Sequence, residues 1–119
     1  MKTTLFVYGT LKRGERNHRL LAGQEFLGEA ATMPLYRLYD LGPFPGLVLD
    51  MDDGREIHGE LWAVDEAALA ALDDFEGVPD LFIRADVAVR HQFDTVQAYL
   101  YNGAIEPGTP EGDRWPLPT

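Results

Sequence analysis

The sequence predicts an α+β domain, a sheet of short strands curled into a small barrel with one or two short helices packed outside. Three observations carry this. Short β-branched and aromatic runs recur along the chain, each bounded by Gly, Pro or Asp. A single stretch shows clear helical spacing with a start and a stop signal. At 119 residues the chain suits one domain with a true core.

In chain order, Thr4-Leu5-Phe6-Val7-Tyr8 is a buried strand that stops at Gly9. Asn17 to Ala22 forms one helical turn closed by Gly23. Gln24 to Tyr39 is strand-like with a break at Pro34, and Leu41 to Gly46 is an irregular turn. Leu47-Val48-Leu49 resumes a strand, with Asp52-Asp53-Gly54 as a hairpin turn before the strand His58 to Val64. Asp65 is an N-cap for a helix from Glu66 to about Asp74, because its carboxylate can accept orphan backbone N–H groups. Gly77 supplies a left-handed stop and Pro79 forbids continuation. Leu81 to Arg90 and Thr95 to Tyr101 alternate as strands. The end is rich in Gly and Pro, with Trp115 available to pin it, giving a domain over 1–104 and an extended tail over 105–119.

Composition narrows the function. With 45% hydrophobic and 25% charged residues the chain is globular. No apolar run approaches the roughly 20 residues of a bilayer span, and the apolar start is too short for a signal peptide. The absence of cysteine removes disulfides, thiolate nucleophiles and Cys-based zinc sites, and fits a cytoplasmic protein. His18, His58 and His91 lack metal-ligand spacing, and the absence of serine removes serine-hydrolase logic. A net charge of −10 argues against nucleic acid. The charge is uneven: residues 1–19 hold five cations against Glu15 alone, a local +4 that leaves −14 on the remainder. Such a cationic segment suits a small anionic ligand, or simply a solvated face.

Glu76 is the principal catalytic candidate. It falls on the stripe marked by Leu69 and Leu72, where desolvation raises a carboxyl pKa. It also sits at the negative end of the helix dipole, which pushes the same way, toward a range useful for moving protons. A side chain turned to solvent, or paired with an internal arginine, would satisfy the same pattern. The second feature is Tyr8-Gly9-Thr10-Leu11, a strand end running into a glycine turn that can expose consecutive N–H groups to an anion. Alone, that pattern equally describes an ordinary turn, and it lacks the spacing of a phosphate-binding loop. Asp73 and Asp74 suit a solvated helix end, and Arg84 suits a structural pairing.

Several segments together resemble the γ-glutamylcyclotransferase-like family. They are Phe6 through Gly14 with Asn17-His18, Gly59 through Glu66, Leu72 through Pro79, Phe82-Ile83-Arg84 and Ala98 through Tyr101, in the family's order and spacing. The resemblance implies a small mixed β-barrel with helices outside, and an enzyme needing neither metal nor organic cofactor. It implies cleavage of γ-glutamyl amides or amines by the substrate's own α-amine, releasing 5-oxoproline and a free amine. It assigns Glu76 as the acid–base group and Tyr8, Gly9, Thr10 and Leu11 as the substrate loop. At Phe82 related enzymes usually carry tyrosine, so this ring is a pocket wall without the hydroxyl, or a plain core aromatic. Two other readings remain open at this level: a non-catalytic binder of small γ-glutamyl ligands, and a cyclotransferase for a different γ-glutamyl compound.

Overall fold

A computed structural model describes residues 1–118, so Thr119, the last residue of the expected tail, lies outside the described residues. Eight strands form one sheet: β1 (Lys2–Val7), β2 (Glu25–Ala31), β3 (Tyr36–Asp40), β4 (Pro45–Leu49), β5 (His58–Asp65), β6 (Phe82–Asp86), β7 (Gln97–Tyr101) and β8 (Glu111–Gly112). One helix, α1 (Glu66–Phe75), packs outside it, and a 3-10 turn spans His18–Leu21. The order is β2-β5-β1-β7-β4-β3-β8, with β6 also on β7. β7 runs parallel to β1 and β4, and the remaining pairs are antiparallel. The sheet is therefore mixed and strongly curled, as the resemblance implied.

β7 is the pivot. One edge is taken by β6 along its whole length, from Phe82↔Tyr101 to Asp86↔Gln97. The other edge must then serve two strands in turn, β1 at Leu5↔Gln97 and β4 at Leu47↔Leu100. Where β1 departs and β4 arrives, the sheet splits. A split of this kind opens a crevice beside strand ends, the usual place for a ligand in mixed sheets.

Strand alternation sorts the core into two layers. Phe6, Tyr8, Leu38, Leu47, Leu61 and Ala98 fill the inside of the curl. Leu5, Val7, Trp62, Val64, Tyr99 and, from α1, Leu72 pack on the other face beneath the helix. β1 is buried on both faces at its C-terminal half, which explains its unbroken apolar run. The Asp65 carboxylate accepts the Ala68 N–H at 2.8 Å, the cap the sequence predicts.

Three expectations change. Asp52-Asp53-Gly54 does not close a hairpin to β5, because both edges of β4 are already used by β3 and β7. The hairpin is β3–β4, closed by Leu41 N–H to Phe44 O at 3.0 Å, and β4 begins two residues earlier than expected, at Pro45. The strand expected over 81–90 leaves β7 after Asp86 and crosses toward β2, with Arg90 N–H bonded to Ala31 O at 2.9 Å. The C-terminal segment also returns to the body. Gly112 and Glu111 pair with Leu38 and Tyr39, His58 N–H donates to Asp113 O at 2.8 Å, and Lys12 Nζ donates to Trp115 O. Trp115 thus pins the segment, its ring packed against the inner core layer. No helix among the described residues is long and apolar enough to cross a membrane.

Leu72 is 1% exposed and joins α1 to the layer beneath it. Leu72→Ala is expected to cost about 2–5 kcal/mol, seen as a lower urea midpoint at unchanged slope.

Candidate active site

The split along β7 is spanned by one side chain. The Tyr8 hydroxyl donates to Tyr99 O on β7 at 2.6 Å and accepts from Leu47 N–H on β4 at 3.3 Å. Burial, then the nearby charge of Glu76, raise its pKa, while the Leu47 bond opposes them. This phenol stays neutral and is committed to the sheet. The loop still offers a ligand its backbone.

That backbone is held from three sides. Gly9 lies so close to β4 that a Cβ would meet Pro45 Cγ at 2.6 Å, so only glycine fits. Asn17 donates its backbone N–H to Thr10 O and its side-chain amide to Thr10 Oγ1, each at 3.0 Å. Glu60, 6% exposed, accepts from Arg13 N–H at 3.1 Å, Arg13 Nε at 3.0 Å and Trp62 Nε1 at 3.1 Å. Burial alone would raise the Glu60 pKa, but these donors, led by the Arg13 amide, outweigh it and hold the carboxyl below its usual range. The backbone N–H groups of Gly9, Thr10 and Leu11 donate to nothing among the described residues.

Glu76 caps the C-terminus of α1, with Gly77 beyond it at φ +69°. The sharp left-handed turn ends the helix as expected and keeps Glu76 on the buried stripe. Its carboxylate has no hydrogen bond or ion pair among the described residues. Desolvation raises its pKa from 4.5 to about 7. Glu60 and Glu76 are thus opposite cases, one buried and satisfied, the other partly buried and left unpaired.

One open cleft is lined by Glu76, Tyr8, Gly9, Thr10, Leu11 and Phe82. Every site residue expected from the sequence borders it. Phe82 is 3% exposed, with its ring tilted against Phe44 and Tyr101 at 5.7 Å each, so it is pocket wall and core aromatic at once. Phe44, Pro45 and Tyr99 also border the cleft; none was a site candidate from the sequence, although Tyr99 lies in the matching segment Ala98–Tyr101. Asp73 departs from expectation. It is not a solvated helix end but accepts Arg84 Nε at 2.9 Å, Arg84 Nη2 at 3.1 Å and the Tyr99 hydroxyl at 2.7 Å. Arg84 takes the structural pairing anticipated for it. Among the described residues no group of three or more His, Asp or Glu is arranged to hold a metal ion.

A family model described as Gamma-glutamyl cyclotransferase, AIG2-like, matches residues 5–117. A Vibrio cholerae protein provisionally named a gamma-glutamylcyclotransferase is 44% identical, over 85% of this chain and 84% of its own. Human gamma-glutamylaminecyclotransferase is 39% identical, over 89% of this chain and 71% of its own. The crystal structure of a mouse AIG2-like protein superposes with a TM-score of 0.80 at 32% identity, covering 96% of this chain and 88% of that one. The chain belongs to the gamma-glutamyl cyclotransferase, AIG2-like family. The names of its relatives support a γ-glutamyl cyclotransferase activity.

A carboxyl whose pKa is higher in the folded chain stabilises the fold while protonated and loses that contribution as pH rises through its folded value. For Glu76 the loss falls between about pH 4.5 and 7. Glu76→Gln has no such loss, so the variant's thermal midpoint should gain on that of the wild type from pH 5 to pH 8. Differential scanning calorimetry at the two pH values checks this.

Proposed function

We propose that this protein is a γ-glutamylamine cyclotransferase: it cleaves a γ-glutamyl amide of a small amine and releases 5-oxoproline and the free amine. The observation that carries this reading is Glu76. It is an unpaired, partly buried carboxyl with a pKa near 7, in one cleft with the free amides of Gly9, Thr10 and Leu11.

The chemistry asks for little more. The substrate's α-amine attacks its own γ-carbonyl, forming the ring N–C bond, and the C–N bond to the leaving amine then breaks. No water is consumed. The attacking nitrogen must lose a proton and the departing nitrogen must gain one. Both are bound to the same carbon in the tetrahedral intermediate, so one carboxyl beside it can perform both transfers. Ring closure is intramolecular, and a cleft that folds the substrate into an attack geometry removes most of its entropic barrier. The loop amides would supply hydrogen bonds to an anionic oxygen of the substrate. The phenol of Tyr8, held by Tyr99 and Leu47, does not take part.

Phe82 supports attention to a second reading, a binding protein that keeps the cleft without turnover. The ring offers no hydroxyl to the substrate, yet the acid–base group does not depend on it. The two readings separate on a panel of γ-glutamyl amides that includes γ-glutamyl-ε-lysine. The wild type is expected to release 5-oxoproline from at least one member, whereas a binder gives saturable binding and none.

Glu76→Gln should lower kcat/KM by about 10²–10⁴-fold with the fold intact by circular dichroism. Because the base form is required, kcat/KM of the wild type should rise with pH through about 7. Turnover persisting in the variant would remove Glu76 from the mechanism.

A further inference from the structure

Asp73, on the last turn of α1, lies three positions before the C-cap Glu76, a spacing that puts two helix residues on neighbouring positions of one face. An unpaired carboxylate there would repel the ionised Glu76 and draw the end of the helix toward water. It is not unpaired. Arg84 on β6 grips both its oxygens, at 2.9 and 3.1 Å, and Tyr99 on β7 donates to one of them at 2.7 Å. Burial would raise the Asp73 pKa, but the bonds from Arg84 and Tyr99 and the charge of Arg84 outweigh it, so Asp73 remains ionised and paired. Tyr99 lines the same cleft as Glu76, and its backbone carbonyl receives the Tyr8 hydroxyl. The network therefore reaches from β6 across β7 to both walls of the cleft.

We propose that Asp73, Arg84 and Tyr99 are positioning residues for Glu76: they clamp the last turn of α1 to β6 and β7 and present Glu76 with a neutral ion pair instead of a bare carboxylate. This rests on Glu76 being the acid–base group. The other charges on the elements packed around α1 have partners of their own or are exposed. Lys2 at the start of β1 pairs with Glu25. On β5, Glu60 is committed to Arg13 and Trp62, and Asp65 caps the opposite end of the helix. His58, also on β5, faces Asp113. The 3-10 turn carries His18, which meets Leu11 O, and Arg19, which reaches back to Arg16 O. On α1 itself Asp74 is exposed and Glu66, at the far end, pairs with the Met1 amino group; Tyr8 after β1 and Tyr99 on β7 stay neutral. Burial alone raises the Glu76 pKa, as expected where the neighbouring Asp73 and Arg84 charges balance each other.

The test is the pH profile of kcat/KM with the best substrate of the γ-glutamyl panel. Arg84→Gln leaves Asp73 without its counter-charge and with only the Tyr99 hydroxyl as partner, so the acid limb should move up by about half a unit. Asp73→Asn leaves Arg84 uncompensated and should move the limb down by a similar amount. The double variant should restore the wild-type position, though with lower kcat because the clamp is weaker. If Arg84→Gln does not fold, the nearly isosteric Asp73→Asn decides alone. Limbs that stay at the wild-type position, with activity tracking only the thermal midpoint, would reduce the network to a structural brace and overturn the proposal. Loss of activity in Glu76→Gln together with unmoved limbs would sink this inference alone. An active Glu76→Gln would sink the acid–base assignment beneath it.

Discussion

The site depends on Tyr99, which holds both of its walls. Its carbonyl anchors the Tyr8 hydroxyl on the loop side, and its own hydroxyl anchors Asp73 on the helix side. β7 cannot offer one continuous edge to two strands that diverge, so a gap in the ladder is forced where β1 leaves and β4 joins. Leaving the Leu47 N–H and the Tyr99 carbonyl unpaired in the buried sheet would cost about 1–3 kcal/mol for each group. The phenol satisfies both. The sheet stays closed and the crevice beside the gap stays open, with backbone amides on one side and the end of α1 on the other.

Three carboxylates around the crevice show how environment assigns roles to one functional group. Glu60 is buried with three donors and fixes the loop. Asp73 is partly buried with Arg84 and Tyr99 and fixes the helix end. Glu76 is desolvated with no partner and is held near pKa 7. The first two remain charged because their hydrogen bonds exceed the cost of burial. The third is left with that cost, and the cost is what suits it to exchange a proton near neutrality.

Much of this was legible in the sequence because it followed from local rules. The Asp65 cap, the Gly77 stop and the helical spacing from Leu72 to Glu76 require only neighbouring residues, and all appear as expected. β1 announced itself by an apolar run buried on both faces. What escaped depends on partners far along the chain. Phe44 and Pro45 looked like an irregular turn, since nothing local says that β4 begins there to meet β7. Asp73 looked solvated because its partners are 11 and 26 positions away. The hairpin was misplaced for the same reason: a turn signal at Asp52-Asp53-Gly54 cannot reveal that both edges of β4 are occupied.

The central claim is that Glu76 is the one glutamate left protonatable near neutrality, in one cleft with the Tyr8-Gly9-Thr10-Leu11 loop. Carbon-13 NMR titration of the side-chain carboxyl groups in glutamate-labelled protein tests it directly. One resonance should titrate with a midpoint near pH 7 and disappear from the spectrum of Glu76→Gln. A set of glutamates all titrating in the ordinary range of about 4–5, or a neutral-pH titration that survives the substitution, would contradict the account.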